Sequence, residues 1–148
     1  MPTFVAPDCI ARITALPVER IWCSTWQGLV DGERGLSAQL GWVGMPWLRL
    51  PPGNRPWDKR RALQRWFVEN GVRPLIWVDD DRRIDTSGRP WARRLPVPSL
   101  LIRPQKAIGL TPAHLKAMER WLDKLGAPGS AGRWPAATCL ADPSFIVQ

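Results

Sequence analysis

The sequence predicts an α/β fold, a three-layer sandwich of helices on a mostly parallel sheet. Short apolar runs bounded by turn residues alternate with amphipathic segments of helical period. Two of the runs, PLIWV at 74–78 and PSLLI at 98–102, read as strands covered on both faces. The chain has 148 residues, 45% hydrophobic and 23% charged, the size and balance of one ordinary domain. The expected division is an α/β domain over 1–126 and an Ala/Gly/Pro-rich C-terminal tail over 127–148.

Asp8 is placed to cap a short helix carrying Ile10, Ile13 and Leu16, stopped by Pro17. Residues 18–23 then read as a strand. It leads into Ser24 and Thr25, and a helical segment over 27–40 is weakened by Gly28, Gly32 and Gly35. A short strand over 46–50 and a loop, PPGNRP, come next. From Asp58 to Asn70 the period is plainly helical, with Ala62, Leu63, Trp66 and Phe67 on one face and Gly71 as terminator.

After the strand at 74–78, residues 82–94 read as a basic loop. Thr111 and Pro112 open a helix whose Leu115, Met118, Leu122 and Leu125 form an apolar stripe before Gly126. Beyond it, the composition predicts a loose tail in which 144–147 pair back as an edge strand.

Lys and Arg number 21 against 13 Asp and Glu, a formal charge of +8, which favours polyanionic partners, nucleic acid foremost. A generic basic surface gives the same count. Cys9, Cys23 and Cys139 are too few and too scattered for a disulfide framework or a paired-ligand zinc site. No apolar run approaches a membrane span and the N-terminus lacks the regions of a signal peptide, so a cytoplasmic location is expected. Of the ten tryptophans, most are expected in the core. Trp57 and Trp91, set in basic loops, are the candidates for stacking on bases.

Three places can carry chemistry. Asp79, Asp80 and Asp81 follow a buried strand at its carboxyl end, the edge at which open α/β sheets bind ligands. Adjacent carboxylates repel, and a hard cation such as Mg²⁺ relieves the repulsion. The plain alternative is a solvated acidic turn next to Arg82 and Arg83. Ser24 and Thr25 hold the equivalent position on the earlier strand, where hydroxyls can bind phosphate oxygens or simply cap a turn. Lys59, in the first helical turn after Asp58, can reach a phosphoryl group as a point charge, or be solvated. His114, the one histidine, is assigned no role, and phosphate-binding loops of the GxxxxGK[ST] and GxGxxG types are absent.

Taken in order, IWCST at 21–25, Lys59 in PWDKRRALQRW, and LIWVDDD at 75–81 resemble the haloacid dehalogenase superfamily of phosphohydrolases, whose sheet is Rossmann-like. The wider run, with PSLLIRP and GLTPAHLKAMERWL, is similar to its small branch associated with RNA-repair proteins. The resemblance implies a Mg²⁺-dependent phosphatase acting on nucleic-acid ends or nucleotides. Ser24 or Thr25 would bind phosphoryl oxygens, Lys59 would neutralise charge, and Asp79 and Asp80 would hold the metal. Arg60, Arg82 and Arg83 are the candidates for contacting substrate phosphate.

One departure bears on fold and chemistry together. The family opens with a central strand ending DxDG, which supplies the nucleophile and the general acid, and this sequence has no such motif. The strands ending at Ser24 and Asp79 would then face each other with unpaired edges. Either they pair directly, another segment or chain fills the gap, or the start is misassigned, which is the leading expectation. The competing function is a catalytically inactive relative that binds nucleic acid through its arginines.

Overall fold

A computed structural model of the chain describes residues 7–23, 35–50, 58–126 and 136–140. It is a mixed α/β structure. The elements in order are α1 (Pro7–Ala15), β1 (Val18–Trp22), α2 (Leu36–Gln39), α3 (Asp58–Asn70), β2 (Leu75–Val78), a π-helical turn (Ile84–Gly88), α4 (Arg89–Ala92), β3 (Ser99–Ile102), α5 (Pro112–Gly126) and β4 (Ala136–Leu140).

The strands form one four-stranded sheet in the order β1-β4-β2-β3. Each neighbouring pair is parallel. The gap between β1 and β2 is therefore filled from within the chain. Ala136 to Leu140 run from the Val18–Ala136 pair to Trp22–Leu140 on one side, and from Leu75–Ala137 to Val78–Leu140 on the other. This corrects the expectation of a loose tail throughout 127–148, and among the alternatives for the missing first strand it matches filling by another segment rather than direct pairing. Only an inner strand satisfies the backbone donors and acceptors of both neighbours at once. The proposed edge strand at 144–147 lies outside the described residues.

Strand alternation divides the core in two. Leu75 and Trp77 of β2 point into a cluster with Leu63 and Phe67 of α3, Trp91 of α4, Ile21 and Leu101. Ile76 and Val78 point the other way, into a cluster with Ile13 of α1, Trp22, Ile102, and Leu115 and Met118 of α5. All residues of β2 are buried, as its uninterrupted apolar run requires. Fully burying an aliphatic side chain contributes ~1.5–3 kcal/mol, so these two clusters are what hold helices on both faces of the sheet.

Local rules set the element ends. Helix α3 spans the residues its period marks, and Gly71, at φ 87°, stops it while donating its N–H to the Phe67 carbonyl at 2.9 Å. Helix α1 begins at Pro7, so Asp8 sits inside its first turn rather than capping it. At the start of α5, Thr111 N–H donates to His114 Nδ1 at 3.0 Å; burial lowers the His114 pKa, and the ring serves as an acceptor.

The expected strand at 46–50 is reduced to a single parallel bridge between Trp22 and Trp47. Of the helix expected over 27–40, the described part is α2; the rest lies outside the described residues, as does the loop at 51–56.

Residues 82–94 are not an open loop. The π-helical turn runs straight into α4, and the segment is pinned by Ile84, fully buried, and by Trp91 and Ala92. Trp91 is stacked on Phe67 at 6.2 Å between ring centroids and set edge-on to Trp77 at 6.1 Å. It is a core residue, which corrects its reading as a base-stacking platform. Trp57, the other candidate, lies outside the described residues.

Candidate functional site

Parallel register brings the carboxyl ends of β1, β4 and β2 to one edge, with Trp22, Leu140 and Val78 in a row. The next residues along β1 and β2 are Cys23 and Asp79, both fully buried. The Cys23 thiol donates weakly to the Lys59 carbonyl, Sγ to O 3.9 Å, tying the end of β1 to the first turn of α3. That contact helps set Lys59 at the sheet edge. No sequence pattern announces it.

Lys59 Nζ donates to both carboxylate oxygens of Asp79, at 3.1 Å and 3.3 Å. The Asp81 backbone N–H also donates to Asp79 Oδ1, at 3.0 Å, closing a tight turn on the strand end. Asp79 has no exposed surface, whereas the Lys59 side chain keeps 20% of its own. Burial pushes the Asp79 carboxyl above its ordinary pKa. The charge and hydrogen bond of Lys59 and the Asp81 N–H oppose that rise without cancelling it.

The three aspartates occupy different environments. Asp80 is half-buried, and Asp81 faces Arg83, which approaches to 2.7 Å and also donates its backbone N–H to Asp81 Oδ1 at 2.9 Å. Partial burial alone would raise Asp81, but the Arg83 side chain and backbone N–H, with Lys59 behind, hold it below the usual range. Arg83 is thus committed to positioning the turn.

Arg60 Nη1 donates to Ser87 Oγ at 3.4 Å, joining α3 to the π-helical turn. Its Nε is buried with no hydrogen-bond partner among the described residues. Arg82 is exposed. Behind the turn, Asp85 bridges Arg89, at 2.7 Å and four residues on, and Arg103, at 2.8 Å, a contact that no local spacing signals. Ser24 and Thr25 directly follow Cys23 in the chain and lie outside the described residues.

The donor set at this edge is oxygen-rich and hard, which suits Mg²⁺ rather than a soft metal. Among the described residues no three acidic, His or Cys side chains are grouped as ligands. Asp79 and Asp80 would serve the mode in which Mg²⁺ takes one or two carboxylates and keeps waters or substrate oxygens for its remaining positions. No helix among the described residues is long and apolar enough to cross a membrane.

Comparison with known proteins adds no assignment: no protein-family model matches the chain, and neither a curated protein nor a solved structure matches it significantly. The functional reading rests on residues and geometry.

Proposed function

We propose that the carboxyl edge of this sheet binds a phosphoryl group, and that the chain is a Rossmann-like phosphohydrolase domain of haloacid dehalogenase type, acting on nucleic-acid ends or nucleotides. The observation that carries the reading is the Lys59–Asp79 pair at 3.1 Å, seated where β2 leaves the sheet. Holding an ammonium against a fully buried carboxylate costs several kcal/mol of desolvation, a cost not needed for folding alone, since apolar residues fill such sites at least as well.

In this reading Lys59 exchanges part of its contact with Asp79 for a phosphoryl oxygen and offsets charge developing there. Asp79 and Asp80 would hold Mg²⁺, which supplies Lewis-acid polarisation of the phosphoryl oxygens when bound. Ser24 or Thr25 would hydrogen-bond the remaining oxygens, and Arg60 and Arg82 would contact substrate phosphate. Arg83 keeps the Asp81 turn in place. The sequence contains no DxDG carboxylates, so the roles assigned here are binding, orientation and charge neutralisation, and none of these residues is given the attack on phosphorus.

The absence of DxDG favours one second reading, a catalytically inactive relative that keeps the phosphoryl-binding edge. Release of phosphate from a 5′- or 3′-phosphorylated oligonucleotide, with and without Mg²⁺, separates the two. With no DxDG nucleophile in the sequence, turnover by the chain should be slight, and on the hydrolytic reading what there is should depend on Mg²⁺ and fall at least ten-fold in Asp80→Asn and Lys59→Met. Turnover unchanged in Asp80→Asn would refute the metal role. No turnover, with phosphate shifting the amide signals of residues near Lys59, would leave the binding reading.

A further inference from the structure

Residues 82–94 carry Arg82, Arg83, Arg89, Arg93 and Arg94 against a single acid, Asp85. The structure sorts them. Arg83 is neutralised by Asp81, and Arg89 shares Asp85 with Arg103. Arg82, Arg93 and Arg94 are exposed, and none of the ion pairs among the described residues includes them. Asp81, just before the segment, and Asp85 within it thus position its inner arginines and leave its outer ones to solvent.

The support under these arginines is stiff. Ile84 and Trp91 are buried, and a Cβ built on Gly88 would touch Ile84, Leu101 and Trp77, each at 3.4 Å. A basic surface on an anchored helical segment loses less conformational entropy on binding than the same charges on a mobile loop. The segment joins the candidate site directly, through Arg60 to Ser87 and through Arg83 to Asp81.

We propose that Arg82, Arg93 and Arg94 form a docking surface for the phosphodiester backbone of a nucleic acid, leading its end towards Lys59 and Asp79. The inference rests on the nucleic-acid part of the function proposed above, and not on hydrolysis. Charge complementarity carries it: the chain has a net charge of +8, and arginine's planar fork suits phosphate oxygens. An anionic lipid surface fits less well, because among the described residues the exposed large apolar side chains are Val43, Val68 and Ile108, none of them in this segment to insert among acyl chains.

The test is anisotropy of a labelled 20-nucleotide single strand, and of the matching duplex, titrated with the full chain over a range of salt. In the triple variant Arg82→Gln/Arg93→Gln/Arg94→Gln, affinity should fall at least ten-fold at low salt. The slope of log K against log salt should become shallower by ~2, at ~0.7 per phosphate contact on a single strand. A matched variant, Lys106→Gln/Lys116→Gln/Arg120→Gln, removes the same charge from exposed positions elsewhere and should bind as wild type.

Equal losses in both variants would mean a diffuse charge effect and overturn the proposal. So would an unaffected triple variant, or binding to phosphatidylserine vesicles but to neither oligonucleotide. Strand and duplex together tell whether the docked backbone is single or paired. Affinity that is lost in the triple variant of a chain that releases no phosphate would uphold the surface without the hydrolytic reading, which keeps failure of the surface apart from failure of the site.

Discussion

Lys59 Nζ sits 3.1 Å from Asp79 Oδ2, part of a carboxylate with no exposed surface whose pKa burial raises and Lys59 holds back. Removing one partner of a buried pair typically costs ~3–5 kcal/mol. Lys59 keeps 20% exposure, so Lys59→Met should cost less, about 2–3 kcal/mol. Asp79→Asn in the Lys59→Met background should restore most of that loss, because it removes the stranded charge. Urea unfolding of the two single variants and the double variant measures the coupling. Additive effects would mean that the pair does not act as a unit.

The two shifted aspartates give pH dependences of opposite sign. Burial raises the Asp79 pKa in the folded chain, with Lys59 opposing, so folding takes up a proton between the ordinary carboxylate range and the raised value. Its contribution to stability is fully present at low pH and is lost as pH rises through that raised value. Asp81 is depressed despite partial burial, through Arg83, so its contribution is present above the ordinary range and lost as pH falls through its lowered value. The stability of Asp79→Asn relative to wild type should therefore increase as pH rises, whereas Asp81→Asn should lose ground over the same direction. Urea midpoints at stepped pH read both, and parallel curves for the two variants would contradict the assignment.

Part of this site is legible in the sequence. Helix α3 and strand β2 declare themselves because their periods differ and turn residues bound them, and Lys59 and Asp79 could be selected from where they fall on those elements. Their 3.1 Å approach could not, since it is a tertiary contact between residues twenty apart that no local pattern encodes. The DDD run reads as one cluster in sequence. In space it divides among a buried pair, a half-buried neighbour and a turn held by Arg83.

The anchored segment at 82–94 looks like a loop because Gly88 and Pro90 are loop-like and its two large apolar anchors, Ile84 and Trp91, though seven residues apart, are too few among five arginines to declare a helical period. AATCL is composed of small residues with little strand signal, and its place between β1 and β2 is a long-range pairing outcome.

Gly88 offers a test of how tightly that segment is seated. Its φ of −64° and ψ of −52° are helical, so it does not use glycine's freedom. An added methyl would meet Ile84, Leu101 and Trp77 at 3.4 Å, ordinary contact distance. Gly88→Ala should stabilise the fold by ~0.4–1 kcal/mol, mainly by restricting the unfolded chain. Gly88→Leu has no such room and should destabilise by ~1–3 kcal/mol. Thermal melts of both decide it, and a destabilising alanine would show the segment to be packed more closely than these distances allow.

The inner strand makes the strongest demand. Thr138 lies opposite Arg20 of β1 and Ile76 of β2, so its backbone is flanked on both sides. Proline there removes a ladder donor and adds a ring where a neighbouring strand must approach, which inner strands do not accommodate. Thr138→Pro should cost ~3 kcal/mol or more, a large share of the stability of a small domain. The loss should reach the candidate site, because β4 keeps β1 and β2 in register and with them Cys23, Lys59 and Asp79. Hydrogen exchange is the measurement: amides of β1 and β2 should lose protection together in Thr138→Pro. If β2 kept its protection while β1 lost it, β2 would be held by β3 and α3 alone, and the candidate site would not depend on the C-terminal strand.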